Sequence, residues 1–144
     1  MNIKKLIGKL VKKYGTSNPF KLAELLGITV VFEPLGSIHG YYSRTHRTKV
    51  IHINENLPYK KQLSTCAHEL GHAILHPEEN TAFLKANTYF PTSKIESEAN
   101  EFMMELLFYQ GITTMITICD AVESYGIPME LLASKNTDEK IFYL

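Results

Sequence analysis

The stretch Ser64-Thr-Cys-Ala-His68-Glu69-Leu-Gly-His72-Ala-Ile-Leu-His76 decides the fold and contains a His-Glu-x-x-His pattern. On an α-helix, residues four positions apart lie about 40° apart around the axis and about 6 Å along it. The imidazoles of His68 and His72 can therefore converge on one ion, and two neutral nitrogens suit Zn²⁺. Glu69 is rotated by about 100° from His68. That offset predicts a general base that acts on water beside the ion.

The sequence around this motif predicts one amphipathic helix from about Pro58 to Leu75. Its apolar stripe recurs at i, i+4, i+7 and i+11 and consists of Leu63, Ala67, Leu70 and Ile74. The two histidines fall at the edge of this stripe, and Pro77 ends the helix. A glycine inside a helix costs about 1 kcal/mol relative to alanine. Gly71 therefore predicts that another backbone approaches closely here, either from a packed strand or from a crossing helix.

A second predicted helix supplies the candidate third ligand. It begins at Ser93 and runs to Leu107. Glu96 heads a face whose other members are small, apolar or uncharged, namely Ala99, Asn100 and Met103. This position is explained if Glu96 completes a site of two histidines and one carboxylate that leaves a fourth position for water. Glu98 is the alternative ligand, although Glu98 and Glu101 are expected to point elsewhere and to be solvated.

Several other residues near the motif receive only partial assignments. His76 lies nearly 12 Å along the axis from His68, so direct ligation would require the helix to break early. We expect His76 to pack or to orient a ligand. Residues 78–92 predict a connection that could be a lid, although loop packing explains its aromatic residues equally well. The residues to which the sequence assigns no role are His39, Tyr41, Tyr42 and Tyr89.

The N-terminal half predicts two helices and a small sheet. The helices span about Asn2 to Tyr14 and Pro19 to Leu26, followed by a strand at Ile28–Phe32. A hairpin follows, with strands Ile38–Ser43 and Lys49–Asn54 joined by residues 44–48. His52 is expected to be an exposed strand residue, and an edge strand here could pair with an extended peptide. The predicted fold class is α+β and zincin-like, with helices around a small, mainly antiparallel sheet.

The C-terminal part predicts a helix from Thr113 to Tyr125 and a short helix from Pro128 to Ser134. The glycine between them, Gly126, gives the cadence of a helix-turn-helix. Because the second helix lacks basic residues, packing is favoured over DNA reading.

Length and composition limit the classes of protein. A chain of 144 residues that is 44% hydrophobic, with a formal net charge of +0, predicts a single domain over residues 1–144. The neutral balance argues against a general binder of nucleic acid or membranes. Cys66 and Cys119 form no Cys-x-x-Cys pair, and no signal peptide or apolar run of about 20 residues is present. These features predict a cytoplasmic protein.

Three ordered motifs carry a resemblance to a known family. They are Val50-Ile-His-Ile-Asn-Glu-Asn-Leu57, His68-Glu-Leu-Gly-His-Ala-Ile-Leu-His76 and Glu96-Ser-Glu-Ala-Asn-Glu-Phe102. Together they resemble the ImmA/IrrE family of zinc metallopeptidases. The resemblance implies Zn²⁺ ligands at His68, His72 and Glu96 and a catalytic glutamate at Glu69. The chain departs from the family pattern at Met103, where alanine is usual, and at Phe108-Tyr109, where a Met-Pro pair often follows.

The resemblance implies a zinc-dependent endopeptidase of a phage or mobile element that cleaves a helix-turn-helix repressor and thereby acts as an anti-repressor. One alternative is a metal-stabilised binding module that sequesters the repressor without cutting it. A second alternative is a DNA-binding regulator. It rests on the helix-turn-helix cadence and on the basic face of the first helix, formed by Lys4, Lys5, Lys9, Lys12 and Lys13. Because the net charge is neutral, no direct contact with nucleic acid is expected.

Overall fold

A computed structural model of the protein describes residues 2–80, 94–109 and 118–131. The helices are α1 (Ile3–Tyr14), α2 (Pro19–Leu25), α3 (Tyr59–Leu75), α4 (Lys94–Leu107) and α5 (Ile118–Glu123). The strands are β1 (Thr29–Glu33), β2 (Gly40–Thr45) and β3 (Thr48–Asn54). In the described part of the chain, no helix is both long and apolar enough to span a membrane.

Short polar residues set the ends of the first two helices. The Asn2 side chain accepts a hydrogen bond from the Lys5 N–H and caps α1, which ends at Gly15 with a left-handed φ of 72°. Asn18 caps α2 in the same way, and Pro19 occupies its first position. These ends confirm the boundaries that the sequence predicts.

The three strands form one mixed sheet in the order β1-β3-β2. β2 and β3 are antiparallel because a tight turn at His46-Arg47 joins them, whereas β1 pairs with β3 in parallel. The α+β class is confirmed. Only one of the two strand pairings is antiparallel, because residues 34–39 carry the chain from β1 across β3 before β2 begins.

The core lies between this sheet and α3, and α4 covers the other side of α3. Ile51, Ile53 and Tyr42 are fully buried. A Cβ atom added to Gly71 would lie 3.0 Å from the Cβ of Phe102 in α4. A helix does cross at Gly71, as predicted, but the close contact is with the Phe102 side chain, so the prediction that another backbone approaches this glycine is wrong.

One prediction about the sheet is wrong, and several others fall partly outside the described residues. His52 is not an exposed strand residue, since only 17% of its side chain is exposed. Ser93, Tyr89 and most of the predicted lid lie outside the described residues. So do the start of the Thr113–Tyr125 helix and residues 132–134 of the Pro128–Ser134 helix. Where the helix-turn-helix cadence is described, Ala121 and Ile127 are buried in the core, as packing requires.

Candidate metal centre

The side chains of His68 and His72 project from α3 toward the first turn of α4. Their rings lie 4.9 Å apart in an edge-on arrangement, as expected for residues one helical turn apart. Glu96 of α4 reaches both histidines. Its Oε1 accepts a hydrogen bond from His68 Nε2 at 3.0 Å, and its Oε2 lies 2.8 Å from His72 Nε2. The structure thus brings together the three predicted ligands, which we call the metal cluster.

The metal cluster is buried enough for its electrostatics to be strong. His72 has no exposed surface, and the side chains of His68 and Glu96 are 12% and 22% exposed. Burial raises the pKa of the Glu96 carboxyl, but the adjacent His68 and His72 imidazoles outweigh it and leave this pKa well below its ordinary value. Glu96 is therefore a carboxylate at neutral pH, as a metal ligand must be.

The donor atoms of the metal cluster fit a zinc ion. One donor atom from each of the three residues lies within 4.8 Å of the others, and two imidazole nitrogens with one carboxylate oxygen are a common zinc set. Among the described residues, His72 Nε2 has no hydrogen-bond partner, although a carboxylate oxygen lies close by. Ligands on one tetrahedral zinc ion lie about 3.3 Å apart. The two distances from Glu96 to the histidines, 3.0 and 2.8 Å, are close to this value.

An open cleft of about 210 Å³ adjoins the metal cluster. Its walls include His68, Glu96 and the fully buried Glu69. The charge of Glu69 also reaches Cys66, and burial together with this charge raises the pKa of the Cys66 thiol, so that the thiol stays protonated. The cleft thus opens beside the candidate ligands, and the buried candidate base forms part of its wall.

Sequence reasoning left several residues of this cleft without a role. His39, Thr65 and Asn100 line it together with the candidate site residues. His39 precedes Gly40, where an added Cβ would lie 2.5 Å from the His52 carbonyl oxygen and 2.6 Å from Thr65 Cγ2. Only glycine permits β2 to begin so close to α3, which brings His39 to the cleft. Gly40 was the available sequence signal, but an isolated glycine does not identify what approaches it.

Asn54 holds the segment that leads to His39. This buried side chain donates hydrogen bonds to the carbonyl oxygens of Gly36 and Ile38, each at 3.0 Å, and its backbone N–H donates to the His39 carbonyl oxygen at 2.8 Å. The Ile-Asn end of the first family motif thus serves to anchor one wall of the cleft.

A second histidine and glutamate pair lies at the end of α3. His76 Nε2 donates to Glu98 Oε1 at 2.7 Å, and this hydrogen bond lowers the pKa of Glu98. Glu98 is thus not simply solvated, which corrects the prediction made for it; its side chain is 31% exposed. The His76 ring also lies beside the His72 ring, with the centroids 5.6 Å apart. His76 thus contacts one candidate ligand through its ring and α4 through its hydrogen bond.

Another polar cluster lies on the face of the sheet that points away from α3. His52 Nδ1 donates to Glu33 Oε1 at 2.9 Å, and His52 Nε2 lies 2.9 Å from Ser43 Oγ. The Tyr41 ring stacks on His52 with the centroids 4.1 Å apart. We call Glu33, Tyr41, Ser43 and His52 the sheet-face cluster.

The structure gives Tyr42 a role that the sequence did not. This side chain is fully buried, and its hydroxyl donates to the Pro77 carbonyl oxygen at 2.8 Å. Tyr42 therefore ties β2 to the end of α3.

Comparison with known proteins adds an independent line of evidence. The family model described as the IrrE N-terminal-like domain matches residues 23–112. An uncharacterized immunity region protein 2 of Bacillus phage phi105 is 41% identical over 143 residues, covering 95% of this chain and 90% of that protein. The metallopeptidase ImmA of Bacillus subtilis (strain 168) is 33% identical over 107 residues, which are 73% of this chain and 62% of ImmA.

A solved structure shares the fold at low sequence identity. A Mycobacterium tuberculosis transcriptional regulator aligns with a TM-score of 0.53 and 16% identity, over 94% of this chain and 55% of that protein. The chain thus spans little more than half of that structure and less than two thirds of ImmA.

Proposed function

The chain belongs to the IrrE N-terminal-like domain family, and from that premise we propose that it is a zinc-dependent endopeptidase. The observation that carries the proposal is the metal cluster, in which His68, His72 and Glu96 converge beside a cleft that Glu69 also lines. The name of ImmA, a metallopeptidase, supports the same class. We also propose that residues 1–144 form one domain, since the described elements share a core.

In this proposal His68, His72 and Glu96 would hold the zinc ion, and Glu69 would be the catalytic base. A bound Zn²⁺ supplies Lewis-acid polarisation of a carbonyl group and raises the acidity of water. Glu69 would accept the proton of the attacking water and later donate it to the leaving amine. Glu69 directly follows His68 on α3, so the helix holds the base next to a zinc ligand.

The substrate we propose is a helix-turn-helix repressor, so that the protein acts as an anti-repressor of a phage or mobile element. The support is the name of the phi105 relative, which assigns that protein to an immunity region. A runner-up function is a metal-stabilised module that sequesters the repressor without cutting it. Both functions use the same cleft, and turnover separates them.

The test is to incubate purified protein and Zn²⁺ with a tenfold excess of the repressor encoded next to its gene. We expect repressor fragments in excess of the protein added. The Glu69→Gln variant should cleave about 10²- to 10⁴-fold more slowly, because it lacks the base, and should bind zinc as the unmodified protein does. The matched control is Glu101→Gln, since Glu101 is exposed on α4. A stoichiometric complex without fragments would support sequestration instead.

A further inference from the structure

We propose that His76 and Glu98 are a positioning pair that fixes the rotation of α4 about its own axis and so holds Glu96 against His68 and His72. The inference rests on the proposed metal centre and assigns a role to two residues outside it.

The two glutamates lie on different sides of α4. Glu96 and Glu98 are two residues apart, so they lie about 200° apart around the helix axis. Glu96 contacts His68 and His72, and Glu98 contacts His76. Two polar contacts on nearly opposite sides of α4 resist its rotation in both directions, in addition to the packing of its buried face.

A small rotation of α4 would displace the Glu96 carboxylate. A group about 6 Å from a helix axis moves by about 1 Å when the helix rotates by about 10°. A zinc–oxygen bond is about 2.0–2.2 Å long, so a displacement of that size would remove Glu96 from a shared ion. Phe102 against Gly71 sets where α4 crosses α3. The buried side chains of α4 also limit its rotation; they are Ala99, Phe102, Met103, Met104, Leu106 and Leu107. The contact between His76 and Glu98 adds a polar restraint in the first turns of α4, where Glu96 lies.

The backbone at the end of α3 directs His76 toward Glu98. His76 is the residue at which α3 ends, with φ −135° and ψ 57°, although its N–H still donates to the His72 carbonyl oxygen at 2.8 Å. Its backbone therefore departs from the helical path, which changes the direction of its side chain. Pro77 follows and prevents the helix from continuing.

The turn that follows His76 is held in place by contacts with β2. The Tyr42 hydroxyl donates to the Pro77 carbonyl oxygen, and the Arg44 guanidinium pairs with Glu78. The Arg44 N–H also donates to Asn80 Oδ1 at 2.7 Å. Three contacts from β2 thus hold the turn after His76. The sheet thus holds this turn, the turn holds His76, and the hydrogen bond from His76 to Glu98 restrains the rotation of α4.

The experiment measures zinc affinity by competition with a chromophoric chelator, which requires no substrate. The variants are His76→Ala, Glu98→Ala and the double variant. We expect each single variant to bind zinc about tenfold more weakly, as is typical when a residue that orients a ligand is lost. The double variant should also lose about tenfold, not a hundredfold, because the two residues act as one unit.

Two further variants separate positioning from general stability. In His76→Gln the side-chain amide nitrogen can take the place of Nε2 and donate to Glu98, so zinc affinity should return to within about threefold of the unmodified protein. Leu26→Ala removes a partly buried side chain beside the core, remote in sequence from α3 and α4. It should lower the melting temperature of the metal-free protein without changing zinc affinity.

The outcomes are distinguishable. Unchanged zinc affinity in both single variants, or losses that multiply in the double variant, would overturn the positioning pair. A zinc loss in Leu26→Ala equal to that in Glu98→Ala would overturn it too, because general destabilisation would then explain the effect. If the variants show the expected zinc affinities but the unmodified protein cleaves no repressor, only the proposed peptidase function is overturned. A protein that binds no zinc would overturn both.

Discussion

The metal cluster and the sheet-face cluster both pair histidine with glutamate at 2.8–3.0 Å, yet they are built differently. In the metal cluster, two histidines direct Nε2 toward one carboxylate. In the sheet-face cluster, one histidine has both ring nitrogens occupied, by Glu33 of β1 and Ser43 of β2. The first arrangement concentrates donor atoms at a point, and the second distributes them along a line.

This difference teaches what makes a histidine available to a metal. An imidazole that bridges two strands uses its nitrogens to cross-link the sheet, and binding an ion would break a hydrogen bond. Convergent imidazoles that share one carboxylate lose little interaction energy when a cation binds, since bonds to the cation replace their contacts with the carboxylate. The side chain of His52 is 17% exposed and that of His68 is 12% exposed. Burial therefore hardly separates His52 from His68, whereas the convergence of donor atoms does.

The largest expected effect comes from removing a histidine of each cluster in turn. His72→Ala should weaken zinc binding by more than about 100-fold, beyond the range for residues that only orient a ligand. His52→Ala should leave zinc affinity unchanged. Equilibrium dialysis with metal analysis checks both variants. Equal losses in the two would remove the distinction between the clusters.

Zinc should stabilise the fold through one cluster only. At a free zinc concentration 100 times Kd, the unmodified protein should gain about 2.7 kcal/mol of unfolding free energy. The gain should persist in His52→Ala and vanish in His72→Ala, because the proposed zinc ligands all belong to the metal cluster. Thermal unfolding with zinc and with excess chelator measures the difference. A zinc-dependent shift that survives in His72→Ala would contradict it.

The sheet-face cluster should contribute to stability without metal. We expect His52→Ala to lower the metal-free unfolding free energy by about 2 kcal/mol, from two partly exposed hydrogen bonds and the stacking on Tyr41. Denaturant unfolding is the measurement. His46→Ala is the matched control, because His46 lies exposed in the turn of the same hairpin. A cost no larger than that of the control would show that the cluster does not cross-link the strands.

The smallest expected effect is that of Ser43→Ala, which removes one end of the sheet-face cluster. The variant should lose about 0.5–1.5 kcal/mol of unfolding free energy, the usual contribution of one hydrogen bond. Comparing it with His52→Ala and the double variant gives the coupling between the two residues. No coupling would mean that Ser43 and His52 do not interact in solution.

Local patterns predicted much of the fold. The ends of α1 and α2, the existence of α3 and α4 and the hairpin follow from short-range signals such as Asn caps, left-handed glycines and apolar periodicity. The parallel pairing of β1 was not predicted, because it depends on where residues 34–39 carry the chain. His39 and Asn100 were not assigned to the cleft, since their positions depend on contacts between distant segments.

The sequence by itself determined that His68 and His72 share one side of a helix with Glu69 offset from them, because residues within one or two turns are related by helical geometry alone. Only the tertiary structure decided that Glu96 meets these histidines and that Glu98 meets His76. Both glutamates lie on one helix and have the same chemistry. The choice between them depends on how α4 is rotated against α3, and that rotation is set by packing and polar contacts between segments far apart in the chain.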